Sequence, residues 1–106
     1  MTTTAGNWET KWAVRFFDKS ASIFAGKSCV HLVIVRKDPH DLFRFLRWAR
    51  VGRIVGPYES NKGVYYYRCT KSDEVYALKE AIWEQLSPGT QARWAEQDTI
   101  LGQRES

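Results

Sequence analysis

The spacing of apolar positions changes several times along the chain, and each change marks an element. Trp8, Trp12 and Phe16 recur at helical spacing, as do Ala13 and Phe17, which predicts a first helix opened by Asn7 as its cap. Apolar coverage that wide calls for partners on two sides, the molecule's own sheet and a second subunit. Residues 21–36, ASIFAGKSCVHLVIVR, read as two short strands around the turn Gly26-Lys27. In the second strand, Cys29–Arg36, the residues Val30, Leu32 and Ile34 share one face, and Cys29, His31, Val33 and Val35 share the other. Asp38-Pro39 opens a second helix, a capping aspartate followed by proline at the first helical position. Leu42, Phe45, Leu46 and Ala49 line its core face, and Arg44, Arg47 and Arg50 form a basic ridge.

Val51–Tyr58 and Val64–Thr70 read as a third and a fourth strand around the turn-rich Glu59-Ser60-Asn61-Lys62-Gly63. Tyr65, Tyr67 and Cys69 share one face of the fourth strand, and Tyr66, Arg68 and Thr70 share the opposite face. Ser72 is predicted to cap a third helix, with Asp73 and Glu74 in its first turn and Val75, Leu78, Ile82 and Leu86 as its core stripe. Ser87-Pro88 then opens a short fourth helix containing Trp94. The order αββαββαα predicts an α+β fold with a four-stranded antiparallel sheet and all helices on one face. One domain is expected over 1–106, with an ordered body at about 7–97 and loose termini. The other sheet face is left bare, and function is expected there.

Composition narrows the chemistry. A chain of 106 residues that is 43% hydrophobic and 14% aromatic can bury a real core, which argues against intrinsic disorder. Cys29 and Cys69 are too few for a disulfide scaffold or a cysteine-only zinc site and read as reduced core residues. His31 and His40 stand on different elements without metal-ligand spacing, so no metal site is expected. No apolar run reaches membrane-span length, and the N-terminus lacks a signal-type stretch, which points to a cytoplasmic protein with no membrane partner. A formal net charge of +4 favours an acidic partner, of which nucleic acid is the commonest.

WAVRFFDKSASI at Trp12–Ile23 resembles the motif helix and first strand of single-motif LAGLIDADG homing endonucleases, often written W-A-A-G-F-F-D-G-E-G-S-I. VGRIVGPYES at Val51–Ser60 and VYYYRCT at Val64–Thr70 resemble that family's second hairpin, and Asp73–Leu86 resembles the helix that follows. The resemblance runs in consistent order over about residues 8–96. It implies an αββαββα unit that dimerises through its first helix, sits in the DNA major groove and cuts both strands with a divalent metal.

Three departures alter that expectation. The family's metal-binding carboxylate follows the motif's first acid by two residues; Asp18 matches the first acid, and the catalytic position is Ser20. A neutral hydroxyl supplies none of the hard anionic oxygen that Mg²⁺ needs, so Mg²⁺ would be a cofactor only if cleavage were retained. Arg15 and Lys19 stand where the family's paired helices carry glycines, which sets cation against cation in the expected homodimer interface of Trp12, Arg15, Phe16 and Lys19. No lysine follows Lys79, so the family's late lysine is missing too.

By alternation, the bare face should carry Ser22, Phe24, His31, Val33, Val35, Arg53, Val55, Tyr66, Arg68 and Thr70, flanked by Lys27, Arg36, Lys37, Lys62 and Lys71. The resemblance implies that such residues read base edges and hold phosphates. Arg53 and Arg68 are the best guanine readers, because a planar fork matches O6 and N7. The expectation is a LAGLIDADG-like protein that grips duplex DNA without cutting it, for a regulatory use. The alternative is a protein-interaction or inhibitor module, such as one encoded by a mobile element, using the valine-rich face or the Arg15/Lys19 helix.

Overall fold

The two alternating hairpins come together as one sheet in a computed structural model that describes residues 3–59 and 62–105. The elements are α1 (Thr3–Ser20), β1 (Ser22–Ala25), β2 (Val30–Arg36), α2 (His40–Ala49), β3 (Arg53–Tyr58), β4 (Val64–Cys69), α3 (Ser72–Ile82) and α4 (Pro88–Glu105), with a 3₁₀ turn at Trp83–Gln85 between α3 and α4. The fold is α+β. The strands lie in the order β1-β2-β4-β3, with every neighbouring pair antiparallel.

Period-two alternation decides which side the helices cover. The core cluster takes Val30, Leu32 and Ile34 from β2 and Tyr67 and Cys69 from β4, with Ile23, Ile54 and Tyr65 packed against it. All of these lie on one face by the pairing register, which sets Leu32 opposite Cys69 and Ile34 opposite Tyr67. Phe17 and Phe45 stack at 6.1 Å between α1 and α2, and Phe17 meets Trp94 of α4 at 5.8 Å. Phe45 meets Tyr67 edge-on at 5.1 Å, which joins that aromatic layer to the sheet. The buried Tyr67 hydroxyl donates to Val51 O at 2.7 Å.

Helix boundaries follow local chemistry, with four differences from expectation. At α2 the N-cap is Pro39, without a side-chain cap bond, and His40 is the first helical residue; Asp38 stands one residue earlier than expected, where its Oδ1 accepts from His40 N at 3.0 Å. At α3 the N-cap is Lys71, without a side-chain cap bond, and Ser72 is the first helical residue. The acids there still act: Glu74 Oε1 accepts from Gly52 N at 3.2 Å and fastens the first turn of α3 to the start of β3. α1 begins at Thr3, so Asn7 lies inside the helix rather than at its cap. α4 is not short; it has 18 residues and runs to Glu105, past the expected end of the ordered body. Of the expected turn at 59–63, Ser60 and Asn61 lie outside the described residues; Gly63 N donates to Tyr58 O at 2.9 Å.

Candidate nucleic-acid interface

The register arranges the bare face as three rows. In the middle row Ser22 pairs with Val33, Val33 with Arg68, and Arg68 with Arg53. One step along, Val35 pairs with Tyr66 and Tyr66 with Val55. On the other side Phe24 pairs with His31, ring to ring at 5.5 Å. Thr70 continues this face just past the end of β4. The alternation therefore brings together Ser22, Phe24, His31, Val33, Val35, Arg53, Val55, Tyr66, Arg68 and Thr70. None of these ten belongs to the core cluster; Cys29, expected on this face, precedes β2 and is buried in that cluster instead. Val33 is nonetheless only 7% exposed, shielded by the side chains around it, whereas Phe24 is 43% exposed.

Arg53 and Arg68 end the middle row on the β3 side of the face. They stand directly opposite each other on neighbouring strands, two cations in one cross-strand pair. Arg53 Nη1 makes only a long 3.5 Å contact to Thr70 Oγ1. The Arg68 guanidinium leans over the Tyr66 ring at 5.4 Å, and its Nε is buried without a hydrogen-bond acceptor among the described residues. Tyr58 belongs here as well, edge-on to Tyr66 at 5.6 Å. Simple alternation from Val55 assigns Tyr58 to the opposite face, but a register irregularity between Val55 and Tyr58 turns it over. Gly56-Pro57 inside the strand was the available signal for that irregularity.

The expected flanking cations divide. Lys27, in the β1–β2 loop, and Lys71, after β4, are exposed at one end of the sheet. Lys37 and Lys62 are exposed at the other end. Arg36 does not flank the bare face. It shares the parity of Leu32 and Ile34, so it points to the helix side. There its guanidinium lies 5.1 Å from the Phe16 ring centre and donates from Nη2 to Ser20 Oγ. The position where the resembled family holds its metal-binding carboxylate is thus occupied by a hydroxyl bonded to a cation.

Asp18 is committed to the fold. Its Oδ1 accepts from Ser87 N at 3.1 Å and from Ser87 Oγ at 2.9 Å, tying the end of α1 to the start of α4. Hydrogen bonds from Thr90 and Ser87, with the charge of Arg93, hold its carboxyl below the ordinary aspartate range against the opposing effect of burial. Among the described residues no three His, Cys, Asp or Glu side chains gather as a metal site. Both cysteines are free and buried; burial, then the charge of Glu74, pushes the Cys69 thiol up to about 11, and burial also raises that of Cys29.

The expected interface set on α1 splits in the same way. Phe16 belongs to the core cluster, and Trp12 stacks on it at 5.0 Å with their planes 9° apart. Both therefore serve the α1–α2 packing, while Arg15 and Lys19 stay exposed. No described helix is long and apolar enough to cross a membrane. Comparison with protein-family models, curated proteins and solved structures found no match to this chain.

Proposed function

We propose that this protein binds duplex DNA through the bare face of its sheet and does not cut it. The observation that carries this is the Arg53–Arg68 pair. Like charges directly opposite on adjacent strands weaken a sheet, and an anion lodged between them removes that cost. Arg68 also holds a buried donor that no described residue satisfies, a defect that a bound phosphate repairs. Both arginines lie on the β3–β4 hairpin, at the β3 edge of the four-stranded sheet. Lys27, Lys71, Lys37 and Lys62 at the two ends suit the phosphate backbones on either side. The resemblance to LAGLIDADG proteins, carried by Trp12–Ile23 and Val51–Thr70, points to the same ligand. The absence of cutting is supported at Ser20, where the Arg36 guanidinium repels a divalent cation.

Gel-shift titration of random-sequence duplexes at low salt tests the proposal. Wild-type protein is expected to shift duplex DNA, and Arg53→Gln and Arg68→Gln to weaken the shift. If no duplex moves at low salt, the proposal fails. A protein-interaction module is a second reading, supported by the Val35–Tyr66–Val55 row and the exposed Phe24. Under that reading Val35→Asp abolishes capture of a partner and Arg53→Gln does not.

A further inference from the structure

A second cationic surface lies on the helix-covered side, away from the bare face. Trp8, Lys11, Trp12, Arg15 and Arg44 line a groove of about 480 Å³ between α1 and α2. Trp8 is the most exposed large hydrophobic residue of the described chain, at 71%. Lys11, Arg15 and Lys19 follow it down one face of α1 at four-residue intervals, all exposed. The groove wall is held firmly. The Arg44 guanidinium lies 4.0 Å from the Trp12 ring centre and pairs with Glu9 at 3.0 Å, while Trp48 Nε1 donates to Thr10 Oγ1 at 3.2 Å. Beyond Arg44 a second hollow continues between His40, Phe43, Arg47 and Trp48.

Among the described residues no acidic side chain pairs with the row on α1. Ion pairs among the described residues are Arg44–Glu9 and Lys79–Asp98, so Lys11, Arg15 and Lys19 have no anionic partner. A second copy of the chain is a poor occupant, because α1 against α1 sets these cations against each other. The apolar part of the groove is aromatic and flat, bordered by positive charge. That combination suits a polyanion whose own flat groups can stack.

We propose that the α1–α2 groove binds single-stranded nucleic acid, with a base stacked on Trp8 and successive phosphates along Lys11, Arg15 and Lys19. Four residues of helix advance about 6 Å, so the cations stand about 6 Å apart. The exposed Trp8 ring decides between the two forms: a base paired and stacked inside a duplex cannot lay its face on the indole, and a base of a single strand can. Stacking on an exposed indole is open to any base, so binding is tolerant of sequence and falls steeply with salt. This site is independent of the duplex-binding face: it uses different residues and a different ligand.

The test is binding of fluorescent oligo-dT to the full chain and to variants in exposed α1 residues. Trp8→Ala is expected to weaken binding about tenfold, and Trp8→Phe to restore most of it, because a stacking platform is what is lost. Lys11→Glu/Arg15→Glu should reduce binding further and flatten the salt dependence by about two phosphate contacts. Arg53→Gln/Arg68→Gln should leave oligo-dT binding unchanged, which separates this site from the duplex face. Unchanged affinity in Trp8→Ala overturns the proposal. So does loss of oligo-dT binding in the Arg53/Arg68 variant alone, which would make the sheet the nucleic-acid surface for both ligands. Competition by polyglutamate as strong as that by unlabelled oligo-dT also overturns it, in favour of an acidic peptide.

Discussion

Neutralising one member of the cross-strand arginine pair should stabilise the free protein while impairing its complex with DNA. Arg53 faces Arg68 across the β3–β4 pairing, and Arg53 itself is exposed, with only the long 3.5 Å contact to Thr70. Arg53→Gln therefore removes a repulsion and sacrifices little packing. Cross-strand pairs contribute roughly 0.2–1 kcal/mol, so relief of about 0.5 kcal/mol is the reasonable size. For a chain of this length that raises the melting temperature by about 2–4 °C. Because one partner is solvent-exposed, the gain should shrink as salt rises and the Debye length falls below the roughly 10 Å of 0.1 M salt. Duplex DNA should reverse the order. A ligand at about a hundred times its dissociation constant adds about 2.7 kcal/mol to wild-type stability, and Arg53→Gln should receive clearly less. Urea denaturation followed by circular dichroism, at two salt concentrations and with or without duplex, measures all of these quantities. If Arg53→Gln is less stable than wild type and salt does not alter the difference, Arg53 is holding the sheet together and the reasoning is wrong.

Two further predictions concern the scaffold. Asp18→Ala removes the acceptor for Ser87 N and Ser87 Oγ at the start of α4 and should cost about 2 kcal/mol by urea titration. Since the native pKa of Asp18 is lowered, its contribution is complete above the unfolded aspartate value of about 4 and is lost as pH falls through the native one; the wild-type advantage over Asp18→Asn should therefore vanish in acid. Gly52 has φ +90°, and a Cβ there would lie 2.6 Å from the Tyr67 hydroxyl, so Gly52→Ala should lose about 1–3 kcal/mol in the same titration.

The alternation of the strands was legible because a half-buried sheet forces period two on its residues. Val30, Leu32 and Ile34 are apolar where β2 faces the helices, and Tyr66, Arg68 and Thr70 are assigned to the bare side correctly by parity alone. Parity also covers Arg36, the last residue of the expected strand and two beyond Ile34; its placement among the flanking lysines departs from that count, because a basic side chain at a strand end reads as a phosphate contact. Tyr58 escaped because the irregularity before it breaks the count. The length of α4 was hidden for a different reason. After Trp94 its apolar residues thin out to Ile100 and Leu101, too sparse a stripe to signal a helix, while polar contacts such as Gln97 Oε1 accepting from Ala25 N at 2.9 Å dock it to β1. Long-range partners of single polar groups were not legible. Nothing in the spacing of the chain indicates that Ser20 meets Arg36 or that Asp18 meets Ser87.

The most direct test of duplex binding by the bare face is the salt dependence of affinity. Each phosphate contact contributes about 0.9 to the slope of log affinity against log salt. Wild-type protein should show a steep negative slope on duplex DNA, and Arg53→Gln/Arg68→Gln a slope shallower by about 1.8. Equal slopes for the two proteins would contradict the assignment of DNA to this face.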